Sequence, residues 1–144
     1  RWALSRLDAT IEAVTDGLAG YDPTNAGRAL ESLVDDLSNW YVRTGRRRFW
    51  RSDDAADRAA AFATLHECLR TIALLLAPFC PFVADEMWGN LVAAPDPTAP
   101  ESVHLAAWPG LPPASATRSR PVSVMWKNAV PSGRRCWKAR WPSR

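Results

Sequence analysis

The chain has 144 residues, 47% of them hydrophobic and 23% charged, with a formal net charge of +3, enough for about one domain with a buried core. Its longest apolar run, Ile72 to Pro78, falls far short of the roughly twenty residues of a membrane span, and Arg1 is followed by no signal-peptide core and cleavage site. Three cysteines, Cys68, Cys80 and Cys136, are odd in number and lack CxxC spacing, which speaks against a disulfide framework or a structural zinc site and for a reducing cytoplasm.

The charge is unevenly divided. Residues 1 to 104 carry ten arginines against fifteen Asp and Glu, a balance of −5, whereas residues 105 to 144 carry eight Lys and Arg and no acid, +8. The pI near 9.1 therefore belongs to the last forty residues and does not make the rest a nucleic-acid binder. The chain opens on Arg1 and is amphipathic from Leu4 onward, the look of a piece of a longer polypeptide.

Leu4, Leu7, Ile11, Val14 and Leu18 recur at intervals of three and four, one stripe of a first helix, with Gly20 as its stop. Asp22 then offers an N-cap and Pro23 a first helical position; the stripe of this second helix runs through Ala26, Leu30, Leu33, Leu37 and Trp40 or Tyr41. It should hold to about Thr44, where Gly45 permits a bend.

Asp53 and Asp54 are candidate caps of a third helix with a stripe at Ala59, Phe62, Leu65, Leu69, Ile72 and Leu76, ended by Pro78. A shorter fourth helix follows Pro81, with Phe82, Val83, Met87, Trp88 and Leu91 as its apolar side. Asp85 and Glu86 lie near its start, where carboxylates suit the helix dipole. Each buried large side chain contributes roughly 1.5 to 3 kcal/mol before entropy is counted, so these helices need one another. The expected fold is all-α, an antiparallel up-and-down bundle of about four helices. Ser102 to Pro109 is expected as a short extended segment closing over it.

Catalytic machinery is not legible. No P-loop, HExxH or Ser/His/Asp set occurs; His66 and His104 fall in different elements, and His66 reads as a satisfied interfacial residue. Cys68, within an apolar pattern, reads as a small buried hydrophobe. No catalytic and no metal residue is assigned.

DDLSNWYVRTGRRRFWR, residues 35 to 51, is the informative stretch. Asn39, Arg43 and Arg46 or Arg47 fall on neighbouring helical turns, with Trp40 and Tyr41 beside the buried stripe. Guanidinium groups pair with phosphate and stack on bases, and unpaired bases stack on Trp, so the mixture suits a single-stranded RNA loop. The other reading is a solvated helix end, in which the arginines are offset by Asp35, Asp36, Asp53, Asp54 and the helix dipole, and Trp40 and Trp50 are core anchors.

The run DDLSNWYVRTGRRRFW, followed by LLAPFCPFVADEMWGNL at 75 to 91 and SVHLAAWP at 102 to 109, resembles the anticodon-binding helical domain of bacterial isoleucyl-tRNA synthetases, as does the opening RWALSRLDATIEAVT. The resemblance covers residues 1 to 109. It implies a parent enzyme that uses ATP and Mg to activate isoleucine and transfers it to tRNA. The domain itself would dock the anticodon arm of the isoleucine tRNA. The parent's HIGH-like and KMSKS-like motifs are absent here, so this chain should not aminoacylate by itself and needs no cofactor of its own. Implied RNA contacts are Arg43, Arg46, Arg47, Arg48 and Arg51 to the backbone, with Trp40 and Trp50 holding the platform. The implied setting is cytoplasmic, with the rest of the synthetase as partner and no membrane.

Residues 110 to 144 depart from that family. This acid-free Pro, Arg and Trp-rich tail is expected to be mostly disordered, and a reading-frame shift in a GC-rich gene is the preferred explanation of it; a basic RNA-binding arm is the rival. Beside the synthetase module stand two other readings, a freestanding helical interaction protein and a nonfunctional truncated remnant.

Overall fold

A computed structural model describes residues 2–50 and 54–110; Arg51, Asp53, Cys136 and the tail from 111 onward lie outside the described residues. The described chain is an all-α bundle. Helix α1 (Trp2–Ala19) packs against α2 (Pro23–Asp35), which runs on through π-helical turns (Asp36–Val42). A short α3 (Arg46–Trp50) precedes the long α4 (Ala55–Leu76). Helix α5 (Pro81–Trp88) ends in a further π-helical stretch (Gly89–Ala93), and a 3-10 turn (Val103–Leu105) follows.

Cross-helix contacts fix the directions. Trp2 meets Trp40 at one end of the α1–α2 pair, and Gly17 meets Ala26 at the other, so the two are antiparallel. Tyr41 reaches the backbone of Ala61 while Phe79 approaches Gly27, so α4 runs against α2. His66 faces Leu91 and Arg70 faces Trp88, so α5 runs against α4. The result is the up-and-down arrangement expected from the sequence, with α3 inserted where Gly45 bends the chain.

Two cores share α4. The larger joins Leu7, Ile11 and Val14 of α1 to Leu30, Leu33 and Leu37 and to Cys68, Ile72 and Leu75. The smaller gathers Leu74, Ala84, Trp88, Val92 and Val103. Because α4 serves both, Thr71 through Leu75 are all buried. That changes the predicted stripe: Ala61 and Cys68 lie inward, whereas Phe62 is 37% exposed. This helix has the length and hydropathy of a membrane span, and two-sided packing accounts for that composition.

The fourth helix is also rotated from expectation. Ala84, Trp88 and Val92 are its inner face at i, i+4, i+8, while Phe82 and Val83 are 90% and 57% exposed. Asp85 is not a dipole partner. It accepts the Ser102 hydroxyl at 2.6 Å and the Val103 N–H at 3.1 Å, fastening the closing segment to α5. The 102–109 segment does close over the bundle, tied also by Trp88 Nε1 donating to the Pro100 carbonyl at 2.8 Å and Trp108 Nε1 donating to Thr15 Oγ1 at 3.0 Å.

The caps at Asp22 and Asp54 are observed: each carboxylate accepts a backbone N–H, from Asn25 at 3.1 Å and from Ala56 at 2.8 Å. The stop after α1 is not made by Gly20 alone. Tyr21 adopts φ +57°, with Asp22 N–H bonding back to the Gly17 carbonyl at 2.7 Å and Tyr21 N–H to Leu18 at 3.2 Å, a Schellman closure with tyrosine where glycine is usual.

Candidate nucleic-acid interface

At the end of the bundle where α1 starts and α2 finishes, the chain passes from Leu37 through π-helical turns to α3. The i→i+5 winding shifts the inward register. Leu37 is buried and Tyr41, four residues on, follows it inward and donates its hydroxyl to the Ala61 carbonyl at 3.2 Å; burial pushes its phenol pKa up. Trp40 points outward, 52% exposed, against Trp2 at 4.4 Å between ring centroids.

Gly45 makes the next junction, its carbonyl accepting the Arg48 N–H at 2.8 Å. A Cβ there would lie 2.7 Å from the Tyr41 carbonyl and 3.1 Å from the Phe49 ring, so the close approach demands glycine. Phe49 then turns in. It is 6% exposed and sits edge-on to Tyr41, Phe62 and Trp50 with centroids 5.9, 5.1 and 5.9 Å away. The reading of Trp40 and Trp50 as core anchors is therefore corrected, since Trp50 is 66% exposed. Phe49 is the anchor. The missed signal was its single polar-free ring amid arginines, since Phe is more often fully buried than Trp.

The arginines divide by partner. Arg48 grips Asp57 with two prongs, Nε to Oδ2 at 2.9 Å and Nη2 to Oδ1 at 2.6 Å, which fixes α3 to the first turn of α4. Arg46 lies over the Trp50 ring with its guanidinium carbon 6.0 Å from the centroid. Arg43 and Arg47 are exposed and make no ion pair among the described residues. Asp36 was expected to offset these arginines; instead it pairs with Arg6 of α1, Nε to Oδ2 at 2.8 Å. Among the described residues, Asp57 is an acid that meets the arginine run, through Arg48.

The described site residues thus form one exposed end carrying Arg43, Arg46, Arg47, Trp40 and Trp50, with Arg48 engaged in holding it together. Arg51 lies outside the described residues. Sequence reasoning missed Trp2 and Arg6; both are carried to the α2 end only by the antiparallel pairing of α1. Cys68 is fully buried and His66 Nε2 donates to the Leu91 carbonyl at 2.9 Å, each as read from the pattern. Cationic groups beside open indole faces can hold phosphates and stack bases.

Comparison with known proteins bears on what this end meets. The chain is 55% identical over 117 residues to the isoleucine–tRNA ligase of Thermus thermophilus, covering 81% of this chain and 11% of that protein. Over 109 residues, 76% of the chain, it is 54% identical to the ligase of Dehalococcoides mccartyi and 55% identical to that of Thermobifida fusca, covering 11% and 10% of them. The chain thus spans about a tenth of the length of these curated relatives. A family described as the anticodon-binding domain of tRNA ligase matches residues 1–130, past Pro109 where the resemblance read from motifs stops. With an all-α bundle and an arginine and tryptophan end that suit RNA, the chain belongs to the anticodon-binding domain family of tRNA ligases.

Proposed function

We propose that this chain docks the anticodon arm of the isoleucine tRNA as one module of an isoleucine–tRNA ligase, in the cytoplasm and beside the remainder of that synthetase. The observation that carries the reading is the pair Arg43 and Arg47, exposed and without an ion-pair partner among the described residues, on the same bundle end as exposed Trp40 and Trp50. An unspent guanidinium on a fixed scaffold is suited to phosphate. Contacts of this kind set register and orientation rather than read sequence.

The roles within the arginine run separate. Arg43, Arg46 and Arg47 make phosphate contacts, and Arg51, outside the described residues, is assigned the same role. Arg48 acts through Asp57 as a positioning residue for α3. Trp40 and Trp50 offer ring faces rather than core support. ATP and Mg belong to the activation step of the whole ligase. Among the described residues no group of three or more His, Cys, Asp and Glu is placed to hold a metal, and the part proposed for this module is to position the tRNA.

Binding of the full chain to isoleucine tRNA, to an unrelated tRNA and to a bare anticodon hairpin, each across a salt series, tests the reading. The expected result is a preference for isoleucine tRNA that persists when the eight Lys and Arg after residue 110 are changed to Gln. Equal binding to all three RNAs that disappears with the tail charges would reduce the function to nonspecific attraction. Binding to an acidic polypeptide in place of RNA would make the chain a protein-interaction module, and loss of cooperative unfolding would mark a remnant.

A further inference from the structure

The described residues contain five tryptophans, and they fall into two groups. Trp88 and Trp108 spend their indole N–H inside the protein, on the Pro100 carbonyl and on Thr15 Oγ1. Trp2, Trp40 and Trp50 donate no hydrogen bond among the described residues and are 39%, 52% and 66% exposed. A buried indole normally finds a partner for its N–H. Indoles that keep both the N–H and much of the ring in water contribute less to the fold and leave a surface open for something else.

Trp2 and Trp40 are a pair within that second group. They come from opposite ends of the sequence of the α1–α2 hairpin and meet at 4.4 Å between centroids with planes at 47°. At that distance the two rings are in contact, and both residues remain partly exposed. Behind them Arg6 and Asp36 lock the two helices together, Nε to Oδ2 at 2.8 Å, four residues along from each tryptophan. Beside them, one turn on from Trp40, stands Arg43, exposed and without an ion pair among the described residues. A partly exposed aromatic pair next to a guanidinium without an ion pair among the described residues matches a nucleotide: ring against base, cation against phosphate. An acidic peptide would use the cation and leave the indoles idle.

Resting on the anticodon-arm reading above, we infer that Trp2 and Trp40 form a stacking platform for one unpaired nucleobase of the RNA loop, with Arg43 holding the adjoining phosphate. The platform assigns a binding role to Trp2, which lies more than thirty residues from the arginine run and reaches it only through the fold. Because every base has a π face, the platform accepts any base and contributes affinity rather than sequence choice.

The test uses the full chain and a set of anticodon hairpins in which each loop position in turn is made abasic, with Kd read by fluorescence anisotropy. Trp2→Leu should weaken binding of the intact hairpin about 10-fold, in the range that loss of one base–aromatic stack produces. Against one particular abasic hairpin Trp2→Leu should cost nothing further. Trp2→Phe, which keeps a ring, should restore most of the affinity. Circular dichroism and thermal melting check that the variants fold; if Trp2→Leu does not, Trp40→Phe and Trp40→Leu make the same comparison. If Trp2→Leu leaves Kd unchanged, or weakens every abasic hairpin by the same factor, the platform is overturned. Should that happen while Arg43, Arg46 and Arg47 substitutions still abolish binding, the anticodon-arm reading stands without it; if the arginine variants also bind normally, both fall.

Discussion

Arg48 and Asp57 form a two-pronged ion pair in which Nε lies 2.9 Å from Oδ2 and Nη2 lies 2.6 Å from Oδ1. It is a polar tether between α3 and α4, as Phe49 against Phe62 is an apolar one. The hydrogen bond from Arg48 holds the Asp57 carboxyl below its ordinary value of 3.8. A depressed carboxylate contributes stability that is present above the unfolded pKa and is lost as pH falls through the folded one. The α3–α4 junction is therefore expected to keep its protection from neutral pH down to about 4 and to loosen below it. Hydrogen exchange at Phe49 checks this, and Asp57→Asn should remove the pH dependence. Arg48→Lys should not substitute for arginine, because an ammonium cannot make both prongs.

Tyr21 carries a side chain 94% exposed at φ +57°. A left-handed conformation costs a non-glycine residue roughly 1–2 kcal/mol, and the tyrosine ring gains little in return. Tyr21→Gly is expected to stabilise the bundle by about 1 kcal/mol, since the Schellman closure it occupies is where glycine serves best. Urea unfolding with an unchanged m value would register it as a shift of the midpoint.

Gly17 makes the opposite case. Replacing glycine by alanine inside a helix ordinarily gains up to about 1 kcal/mol. Here the added Cβ would stand 3.0 Å from Ala26 Cβ and 3.2 Å from the Asp22 carbonyl, between two backbones that cannot yield separately. Gly17→Ala is expected to destabilise by about 1–3 kcal/mol, and thermal unfolding of the two variants side by side gives shifts of opposite sign.

Trp88 is 1% exposed, fills the centre of the smaller core and bonds the Pro100 carbonyl. Trp88→Phe leaves a void and an unanswered carbonyl, and the expected loss is about 2–4 kcal/mol. The loss should release the 94–110 segment first, which limited proteolysis would detect as early cleavage there while α1–α2 stays intact.

How much of this was legible follows the physics of each element. The α1 and α2 stripes, Leu7, Ile11, Val14 and Leu30, Leu33, Leu37, are buried as spaced, because each of these helices turns one face to one core. Helix α4 was less legible because two cores draw on it from different sides, which erases a single stripe from Thr71 to Leu75. Phe82 and Val83 misled because hydrophobicity at a helix start need not mean burial. At the candidate site the residue types were readable and their division was not. Spacing from Leu37 admits both Trp40 and Tyr41, and the fold turns Tyr41 inward; Arg48 became a tether only because α4 brings Asp57 beside it.

The central claim is that the free arginines on this bundle end carry the RNA. The most direct measurement is the salt dependence of anticodon-hairpin binding by the full chain, compared with a variant in which Arg43, Arg46 and Arg47 are all alanine. Each phosphate contact removed lowers the slope of log K against log salt by about 0.7 to 0.9. The account predicts that the triple variant folds normally, binds at least about 30-fold more weakly at low salt, and has a slope smaller by about 2. An unchanged affinity and slope in a folded triple variant would contradict it.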